Sequence, residues 1–133
     1  MSNILWTFSS PLSDSAAIAA LESNYGIVIP AELKKIIQSH NGAHPTPDRC
    51  TIPKWGTTNV KMLLSYNRDD PETIYDVIDY FMTRTHKRLI PFATDSGSGY
   101  FCMKDSLVVY TADEELFPIT VAESFASFLT KLF

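Results

Sequence analysis

The sequence has few cysteines, no long apolar run and no excess of positive charge, and each shortage excludes a class of protein. Cys50 and Cys102 are its only cysteines. They form no Cys-x-x-Cys motif, so we expect two reduced thiols in a cytoplasmic protein rather than a disulfide scaffold. No apolar run approaches the roughly 18 residues that a membrane-spanning helix needs. The N-terminal residues lack a basic region followed by an apolar stretch, so neither a signal peptide nor a transit peptide is expected.

The charge balance is acidic, with 11 Lys and Arg residues against 15 Asp and Glu residues and a formal net charge of −4. Nucleic acids and anionic membranes attract Lys/Arg-rich surfaces, so neither is expected as the main partner. A basic protein partner is compatible with this charge. The 133 residues, 45% of them hydrophobic, predict a single domain over 1–133 that folds without a metal or a disulfide.

Catalytic motifs are missing as well. There is no Gly-x-Ser-x-Gly motif, and Cys102 has no identifiable histidine partner. The adjacent carboxylates Asp69 and Asp70, and likewise Glu114 and Glu115, lie in solvated turns and point apart, which disfavours an acid/base pair. The sequence therefore predicts no catalytic residues and a protein that is not an enzyme.

The closest approach to a metal site is the set His40, His44 and Cys50. Two histidines four residues apart bind zinc when both lie on one helix face, but Asn41-Gly42 breaks the helix between these two. We interpret them as polar loop histidines beside a packed thiol. No metal and no cofactor are predicted.

The run Asp95-x-Gly97-x-Gly99 is similar to a fragment of a calcium or phosphate loop. A calcium loop needs further ligands and a distal Glu, and a phosphate loop needs a helix directly after the glycines. A strand follows here instead. We interpret the run as a tight hairpin turn that requires positive φ.

Hydrophobic spacing predicts two helices in the first third of the chain. The first is capped by Ser13 or Asp14, runs to about Asn24 and ends in a left-handed turn at Gly26. The second begins with Pro30 in its first turn and ends at Asn41-Gly42, both of which tolerate positive φ. Before them, the alternation over 4–8 indicates either a short edge strand or a packed arm.

The middle of the chain is rich in turn residues. The region 43–59 contains three prolines and one glycine, which predicts a long loop with one extended piece at Cys50–Ile52. The stretch 60–66 is a strand or the approach to one. A third helix is then predicted, with Asp70 as its cap and Pro71 in its first turn. Its apolar stripe consists of Ile74, Val77, Ile78 and Phe81.

The second half carries three predicted strands, at Leu89–Ala93, Tyr100–Met103 and Leu107–Thr111. Short turns between them favour an antiparallel meander, and Pro91 suggests an edge or a bulge. Thr120 and Glu123 are expected to form a capping box for a last helix with a buried apolar face. The class is therefore α+β, with a central antiparallel sheet and helices at both ends packed around it.

Acidic side chains cluster on the third helix and in the loop 112–118. Such charge steers a basic partner, and nearby aromatic rings such as those of Tyr66, Tyr75 and Tyr80 supply anchors. The residues predicted to bind a partner are Trp55, Asp69, Asp70, Glu72, Asp76, Asp79, Asp113 and Glu114. The alternative is a solvated helix face beside ordinary core aromatics.

Three blocks of the sequence together resemble the SUKH superfamily, which includes the yeast cell-wall assembly regulator and many bacterial immunity proteins. The first block comprises Leu21-Glu22, Tyr25-Gly26, Ile29-Pro30, Leu33 and Asn41-Gly42, with Ile29 where Leu is usual. The second comprises Ile90-Pro91-Phe92-Ala93, Asp95, Gly97, Gly99 and Phe101-Cys102-Met103. The third comprises Val108-Val109-Tyr110, Val121-Ala122, Ser124-Phe125, Phe128-Leu129 and Leu132.

The resemblance implies an α+β fold with a central antiparallel sheet and a non-enzymatic role. Bacterial members are mostly immunity proteins that bind and neutralise a polymorphic toxin, often a nuclease, so the implied partner is a toxin that is expected to be basic. The eukaryotic relatives imply an alternative, a regulatory protein-protein interaction module. The matched residues are mainly structural, and Glu22 is expected to cap backbone N–H groups of the neighbouring helix.

Overall fold

The computed structural model describes residues 3–133, so Met1 and Ser2 of the predicted domain lie outside the described residues. Helices and short strands alternate along the chain. In order they are β1 (Leu5–Thr7), α1 (Ala17–Tyr25), α2 (Ala31–His40), β2 (His44–Thr46), β3 (Arg49–Ile52), β4 (Gly56–Asn59), β5 (Met62–Leu63), a 3₁₀ turn (Ile74–Asp76), α3 (Ile78–Thr85), β6 (Ile90–Thr94), β7 (Tyr100–Lys104), β8 (Leu107–Thr111), β9 (Ile119–Ala122) and α4 (Phe125–Thr130).

A five-stranded antiparallel sheet with the strand order β5-β6-β7-β8-β9 forms the centre. The register places Phe101 opposite Tyr110 in the hairpin of β7 and β8. The predicted three-stranded meander is confirmed, and β5 and β9 extend it at its two edges. The register of β6 shifts between Pro91 and Ala93, which confirms the bulge that was one of the two interpretations of Pro91.

Helices pack around this sheet. α3 contacts β6, α4 contacts β8 and β9, and α2 packs on α4. The rings of Phe92, Phe101, Phe125 and Phe128 meet beneath α4 with centroids 5.3 to 6.3 Å apart. Each such pair contributes about 0.5–1.5 kcal/mol beyond its area burial. The α+β class with a central antiparallel sheet is therefore confirmed.

The region 43–59 is not the long loop that its prolines predict. β2 pairs with β1, which places Pro45 opposite Trp6, and β3 forms a hairpin with β4. A two-stranded pairing leaves one side of each strand without hydrogen bonds, so a proline that lacks an N–H is tolerated there. The expected extended piece Cys50–Ile52 lies within β3, and β1 confirms the strand interpretation of 4–8.

The two N-terminal helices form the predicted pair, although α1 begins later than expected. Its first residue is Ala17, and no side chain caps it. Asp14 Oδ1 instead accepts a hydrogen bond from the N–H of Ala16 at 2.9 Å, in the turn before the helix. Gly26 ends α1 in the predicted left-handed conformation, with φ 63°.

The region between α1 and α2 and the end of α2 are held by two polar side chains. Glu22 accepts a hydrogen bond from the N–H of Ile29 at 2.8 Å, two residues before α2, so it holds the link between the helices and does not cap N–H groups of α2 itself as predicted. After α2, Gly42 has φ 70°, whereas Asn41 has φ −52°. The amide of Asn41 is buried and accepts a hydrogen bond from the N–H of Tyr66 at 2.8 Å, so it fastens α2 to the chain after β5.

The third helix begins after a 3₁₀ turn that has its own capping box. Thr73 Oγ1 accepts a hydrogen bond from the N–H of Asp76, and the Asp76 carboxylate accepts one from the N–H of Thr73. α3 itself starts only at Ile78. The prediction that Asp70 caps this helix is wrong, because Asp70 Oδ2 accepts a hydrogen bond from Ser65 Oγ at 2.5 Å.

The predicted capping box of the last helix is also wrong. Thr120 lies in β9, where it pairs with Val109 of β8. The backbone N–H and C=O groups of β9 form hydrogen bonds with β8, so they are not available for the first turn of a helix. Ser124 caps α4 instead, and its Oγ accepts a hydrogen bond from the N–H of Ser127 at 3.0 Å.

Candidate partner-binding site

The turn 95–99 between β6 and β7 is organised by one buried carboxylate. Asp95 is 5% exposed, and its Oδ1 accepts hydrogen bonds from the N–H groups of Gly97 and Gly99 at 2.9 Å each. Its Oδ2 accepts from Thr58 Oγ1 at 2.9 Å and from the Tyr110 hydroxyl at 2.5 Å. Four hydrogen bonds exhaust the acceptor sites of a carboxylate, so the run is a structural turn and not a binding loop.

The glycines of this turn serve close packing rather than positive φ. Neither Gly97 nor Gly99 has a positive φ, so that part of the prediction is wrong. A Cβ atom on Gly99 would lie 2.2 Å from the Tyr110 hydroxyl oxygen, which only glycine avoids. Burial, together with the hydrogen bond to Asp95, raises the pKa of Tyr110.

The residues His40, His44 and Cys50 lie in packed aromatic and apolar surroundings. His40 stacks on the Trp6 ring with centroids 5.8 Å apart, and His44 meets the ring of Phe8 edge-on at 5.6 Å. Within residues 3–133, no three His, Cys, Asp or Glu side chains are grouped as metal ligands. Burial raises the pKa of the Cys50 thiol to about 11, so this sulfur stays protonated at neutral pH.

A network of buried polar groups fixes the chain just after β5. Ser65 Oγ donates to Asp70 and accepts hydrogen bonds from Asn41 Nδ2 at 2.9 Å and from the N–H of Asn67 at 3.0 Å. Asn67 Oδ1 in turn accepts from the N–H of Ser13 at 2.8 Å. A fully bonded network holds one geometry, so it presents the following residues on a rigid base beside α1.

That rigid base forms one wall of a groove of about 350 Å³, with α1 as the other wall. We call it the tyrosine groove. Its lining includes the rings of Tyr25, Tyr66 and Tyr75, the carboxylates of Asp14, Asp69 and Asp79, and the guanidinium of Arg68. The Tyr25 hydroxyl donates to the Asp79 carboxylate, which raises the pKa of Tyr25. The Arg68 guanidinium lies over the Tyr75 ring, 3.9 Å from its centroid.

A second groove, of about 380 Å³, lies between α3 and the loop after β8. We call it the helix–loop groove. The Tyr80 hydroxyl donates to the carbonyl oxygen of Glu114 at 2.6 Å, and Arg84 pairs with Glu115 at 2.5 Å. Its acidic lining residues are Asp76, Asp113 and Glu114. The structure therefore brings the predicted acidic helix and the predicted acidic loop together.

Four of the predicted contact residues use their carboxylates inside the molecule. They are Asp70, Glu72, Asp76 and Asp113. Glu72 pairs with Lys61 at 2.8 Å, and because both side chains are more than one-third exposed this pair contributes about 0–1 kcal/mol. Asp113 Oδ1 accepts a hydrogen bond from the N–H of Glu115 at 3.0 Å and shapes the loop. These carboxylates are less available to a partner.

Asp69, Asp79 and Glu114 keep carboxylate oxygens for a partner. All three are exposed. Among the described residues, the side chains of Asp69 and Glu114 make no hydrogen bond or ion pair, and Asp79 uses one oxygen for Tyr25. The two grooves lie on either side of α3. Asp79 of α3 lines the tyrosine groove, and Glu114, in the loop after β8, lines the helix–loop groove. We call these three residues the acidic ridge.

Trp55 lines neither groove. It lies in the turn between β3 and β4, is 47% exposed, and places its ring 5.0 Å from that of buried Tyr110. A half-exposed tryptophan on a rigid base is an anchor type that interfaces favour. It is therefore a contact candidate separate from the acidic ridge.

Three residues of the tyrosine groove were not expected at a site. In the sequence, Asp14 was predicted as a possible cap of the first helix, Tyr25 belonged to the first block of the family resemblance, and Arg68 had no predicted role. The hydrogen bond that closes the groove joins Tyr25 to Asp79, which lies 54 residues further along the chain. No local pattern reports a pairing across that distance. The sequence indicated this site only through Tyr66 and Tyr75, which lie close to acidic residues along the chain.

The central sheet with helices around it and the exposed carboxylates beside aromatic grooves define a small α+β protein-interaction domain. The sequence model of the SMI1/KNR4 family (SUKH-1) matches residues 13–131, and the chain belongs to this family. The resemblance found from the three sequence blocks is thereby confirmed. This family is generally non-enzymatic and supports an immunity role or an SMI1/KNR4-like protein-interaction role.

No curated protein sequence matches the chain significantly. Within residues 3–133, no helix combines the length and the apolar composition that crossing a membrane requires.

Proposed function

We propose that this protein is an immunity protein that binds a cognate polymorphic toxin and neutralises it stoichiometrically, without catalysis of its own. Membership of the SMI1/KNR4 family over 13–131 supports this role. The observation that carries the proposal is the acidic ridge, where Asp69, Asp79 and Glu114 retain carboxylate oxygens on an exposed surface. Groups left unbonded by the fold are available to another molecule.

The physical basis of inhibition is charge complementarity. A toxin that cleaves nucleic acid needs a basic cleft, because phosphate backbones are bound mainly by Lys and Arg. The acidic ridge matches such a cleft in sign, which accelerates encounter and excludes the nucleic acid once the cleft is covered. Asp70, Glu72, Asp76 and Asp113 use their carboxylates inside the molecule, and Trp55 is proposed as a second contact separate from the ridge.

The decisive experiment begins with the genes adjacent to this one. A toxin domain encoded there should co-purify with the protein in a defined ratio and lose its activity on binding. Charge reversal at Asp79 (Asp79→Lys) should weaken the complex at least tenfold and slow association most at low salt. Asp76→Lys should act less on binding, because Asp76 is occupied by the capping box. If no neighbouring toxin is bound or neutralised, the immunity role is excluded.

The alternative is a regulatory interaction module like the SMI1/KNR4 proteins for which the family is named. It uses the same surface for cellular partners. A gene neighbourhood without a toxin, together with reproducible capture of several housekeeping proteins, would favour it over the immunity role.

We further propose that the whole chain is one domain that acts in the cytoplasm. One continuous core that extends from Ala17 to Leu132 supports the first part. Two buried, unbridged thiols at Cys50 and Cys102 support the second. Limited proteolysis that releases a stable fragment would contradict the single domain.

A further inference from the structure

The tyrosine groove is lined by a buried tyrosine whose hydroxyl has no hydrogen-bond partner among the described residues. Tyr66 is 4% exposed and lines the groove, yet its hydroxyl bonds to no residue in the part of the chain that the structure describes. In that same part, only Thr94 has a side-chain oxygen or nitrogen that is both sealed from solvent and unbonded. The Tyr66 hydroxyl is therefore reached from the groove. A hydroxyl that the fold leaves unbonded and that is reached from a groove is available to a polar group of another molecule.

The lining of the groove suits a cation. Three carboxylates, those of Asp14, Asp69 and Asp79, face one guanidinium, so the lining has a formal charge of −2. Asp69 and Asp79 retain unbonded oxygens, as described for the acidic ridge. Tyrosine rings beside them offer π faces, which attract cations electrostatically.

The chain already places one guanidinium in this groove. Arg68 lies over the ring of Tyr75, and in the described residues it forms no ion pair within 4 Å despite the nearby carboxylates. The groove volume of about 350 Å³ is open with Arg68 in place. Stacking on a ring is therefore one contact that the groove gives to a flat cation, and the carboxylate oxygens that Arg68 does not use remain free to accept from a second one.

We propose that the tyrosine groove receives an arginine side chain of the partner protein. The guanidinium stacks beside the Tyr25 and Tyr75 rings and donates to Asp69, Asp79 and the Tyr66 hydroxyl. This inference rests on the proposed function for the identity of the partner, but the chemistry of the groove stands by itself.

Arginine fits better than the other cations of proteins or buffers. Its planar guanidinium has five N–H donors and stacks on aromatic rings, which matches acceptors spread around a slot between rings. The ammonium group of lysine is compact and strongly hydrated, so it gains less there. A metal ion needs several carboxylates within one coordination sphere, and no such group exists in residues 3–133.

The test is a backbone-amide NMR titration of the full-length protein with the blocked peptides Ac-Gly-Arg-Gly-NH₂ and Ac-Gly-Lys-Gly-NH₂. The arginine peptide should shift the amides of Tyr66, Asp69 and Asp79 and bind at least threefold more tightly than the lysine peptide. Tyr66→Phe and Asp79→Asn should each weaken the arginine peptide about tenfold. Asp105→Asn removes the same charge in the turn between β7 and β8 and should change nothing.

Three results would overturn the inference: equal binding of the two peptides, shifts centred elsewhere, or an unchanged affinity in Tyr66→Phe. Displacement of the arginine peptide by millimolar Mg²⁺ would also overturn it in favour of a metal site. Failure of the proposed function is distinguishable. A toxin complex that is insensitive to Tyr66→Phe rejects the arginine groove and keeps the immunity role. A peptide-binding protein that neutralises no toxin does the reverse.

Discussion

Asp95 and Asp79 have the same side chain in opposite settings. Asp95 is buried in the hairpin turn of the central sheet and accepts four hydrogen bonds. Asp79 is exposed on α3 and accepts one, from Tyr25. A buried carboxylate is tolerated only when hydrogen bonds replace its hydration, whereas an exposed one needs none. Bonding inside the molecule therefore separates acidic residues that build the fold from those that remain for a partner.

Two tyrosines repeat this contrast. Tyr110 is 1% exposed and donates its hydroxyl to Asp95, while Tyr66 is 4% exposed and its hydroxyl has no bond in the described residues. The Tyr66 hydroxyl is reached from the tyrosine groove and remains available to another molecule, whereas the Tyr110 hydroxyl is already bonded inside the protein. The hydrogen bonding of the Tyr110 hydroxyl is thus complete within the protein, whereas that of the Tyr66 hydroxyl is not.

The largest expected effect is the loss of the buried carboxylate. Asp95→Ala should lower the free energy of unfolding by about 3–5 kcal/mol, because two backbone N–H groups and two hydroxyls lose their acceptor in a buried site. Urea unfolding followed by circular dichroism measures this change. Asp69→Ala, an exposed and unbonded matched control, should cost less than about 0.5 kcal/mol. Equal losses of unfolding free energy in the two variants would show that the buried carboxylate of Asp95 contributes no more to stability than the exposed carboxylate of Asp69.

The second largest effect tests the close packing beside Asp95. Gly99→Ala should destabilise the protein by about 2 kcal/mol or more, because the new Cβ atom would lie 2.2 Å from the Tyr110 hydroxyl oxygen. Gly97→Ala is the control in the same turn, since its Cβ atom would meet only Asp95 Oδ1 at 3.6 Å. The measurement is the midpoint of thermal unfolding. Similar losses at both glycines would indicate a backbone effect instead of the contact with Tyr110.

The sheet core was predictable because its signals are local. The apolar runs at β6, β7 and β8 and the short turns between them specify an antiparallel meander. Gly26 likewise indicated the end of α1, because glycine adopts the left-handed conformation that ends many helices. By contrast, β2 and β4 were not predicted, and β3 was predicted only as the extended piece Cys50–Ile52, because strands of three or four residues with prolines nearby show no clear alternation. Their pairing, such as that of Pro45 with Trp6, is decided by tertiary contact.

The candidate site was predictable only in composition. Acidic residues near aromatic residues were visible in the sequence, but which carboxylates are used internally was not. Asp76 stands at capping-box spacing from Thr73 and could have been recognised by that spacing, whereas no spacing rule distinguishes Asp70, which bonds to Ser65, from Asp69. That division depends on side-chain geometry. The tyrosine groove also needs α1, which is distant in sequence from the residues opposite it.

Asp70 provides a test that depends on pH. The hydrogen bond from Ser65, followed by others from Ser10 and Asn67, holds the pKa of Asp70 below its ordinary value of 3.8. The folded state therefore favours the ionised form. The resulting stabilisation is present above pH 4 and is lost as the pH falls through the lowered pKa. Asp70→Asn should be less stable than the wild type at pH 7, and this difference should shrink towards pH 2.

Urea unfolding at the two pH values measures the Asp70 effect. Asp69→Asn, one residue earlier and without a side-chain hydrogen bond, is the matched control and should leave stability unchanged at pH 7. A destabilisation by Asp70→Asn of the same size at pH 7 and pH 2 would show that packing, and not the charged hydrogen bond, is what Asp70 contributes.

The smallest expected effect sharpens the contrast between the two tyrosines. Tyr66→Phe removes a hydroxyl that has no partner in the described residues, so the free energy of unfolding should change by less than about 0.5 kcal/mol. Tyr110→Phe removes the donor to buried Asp95 and should cost about 1–3 kcal/mol. Chemical denaturation of both variants in parallel measures the difference. A cost above 1 kcal/mol for Tyr66→Phe would mean that its hydroxyl stabilises the fold, and the groove would then lose its unpaired acceptor for an arginine.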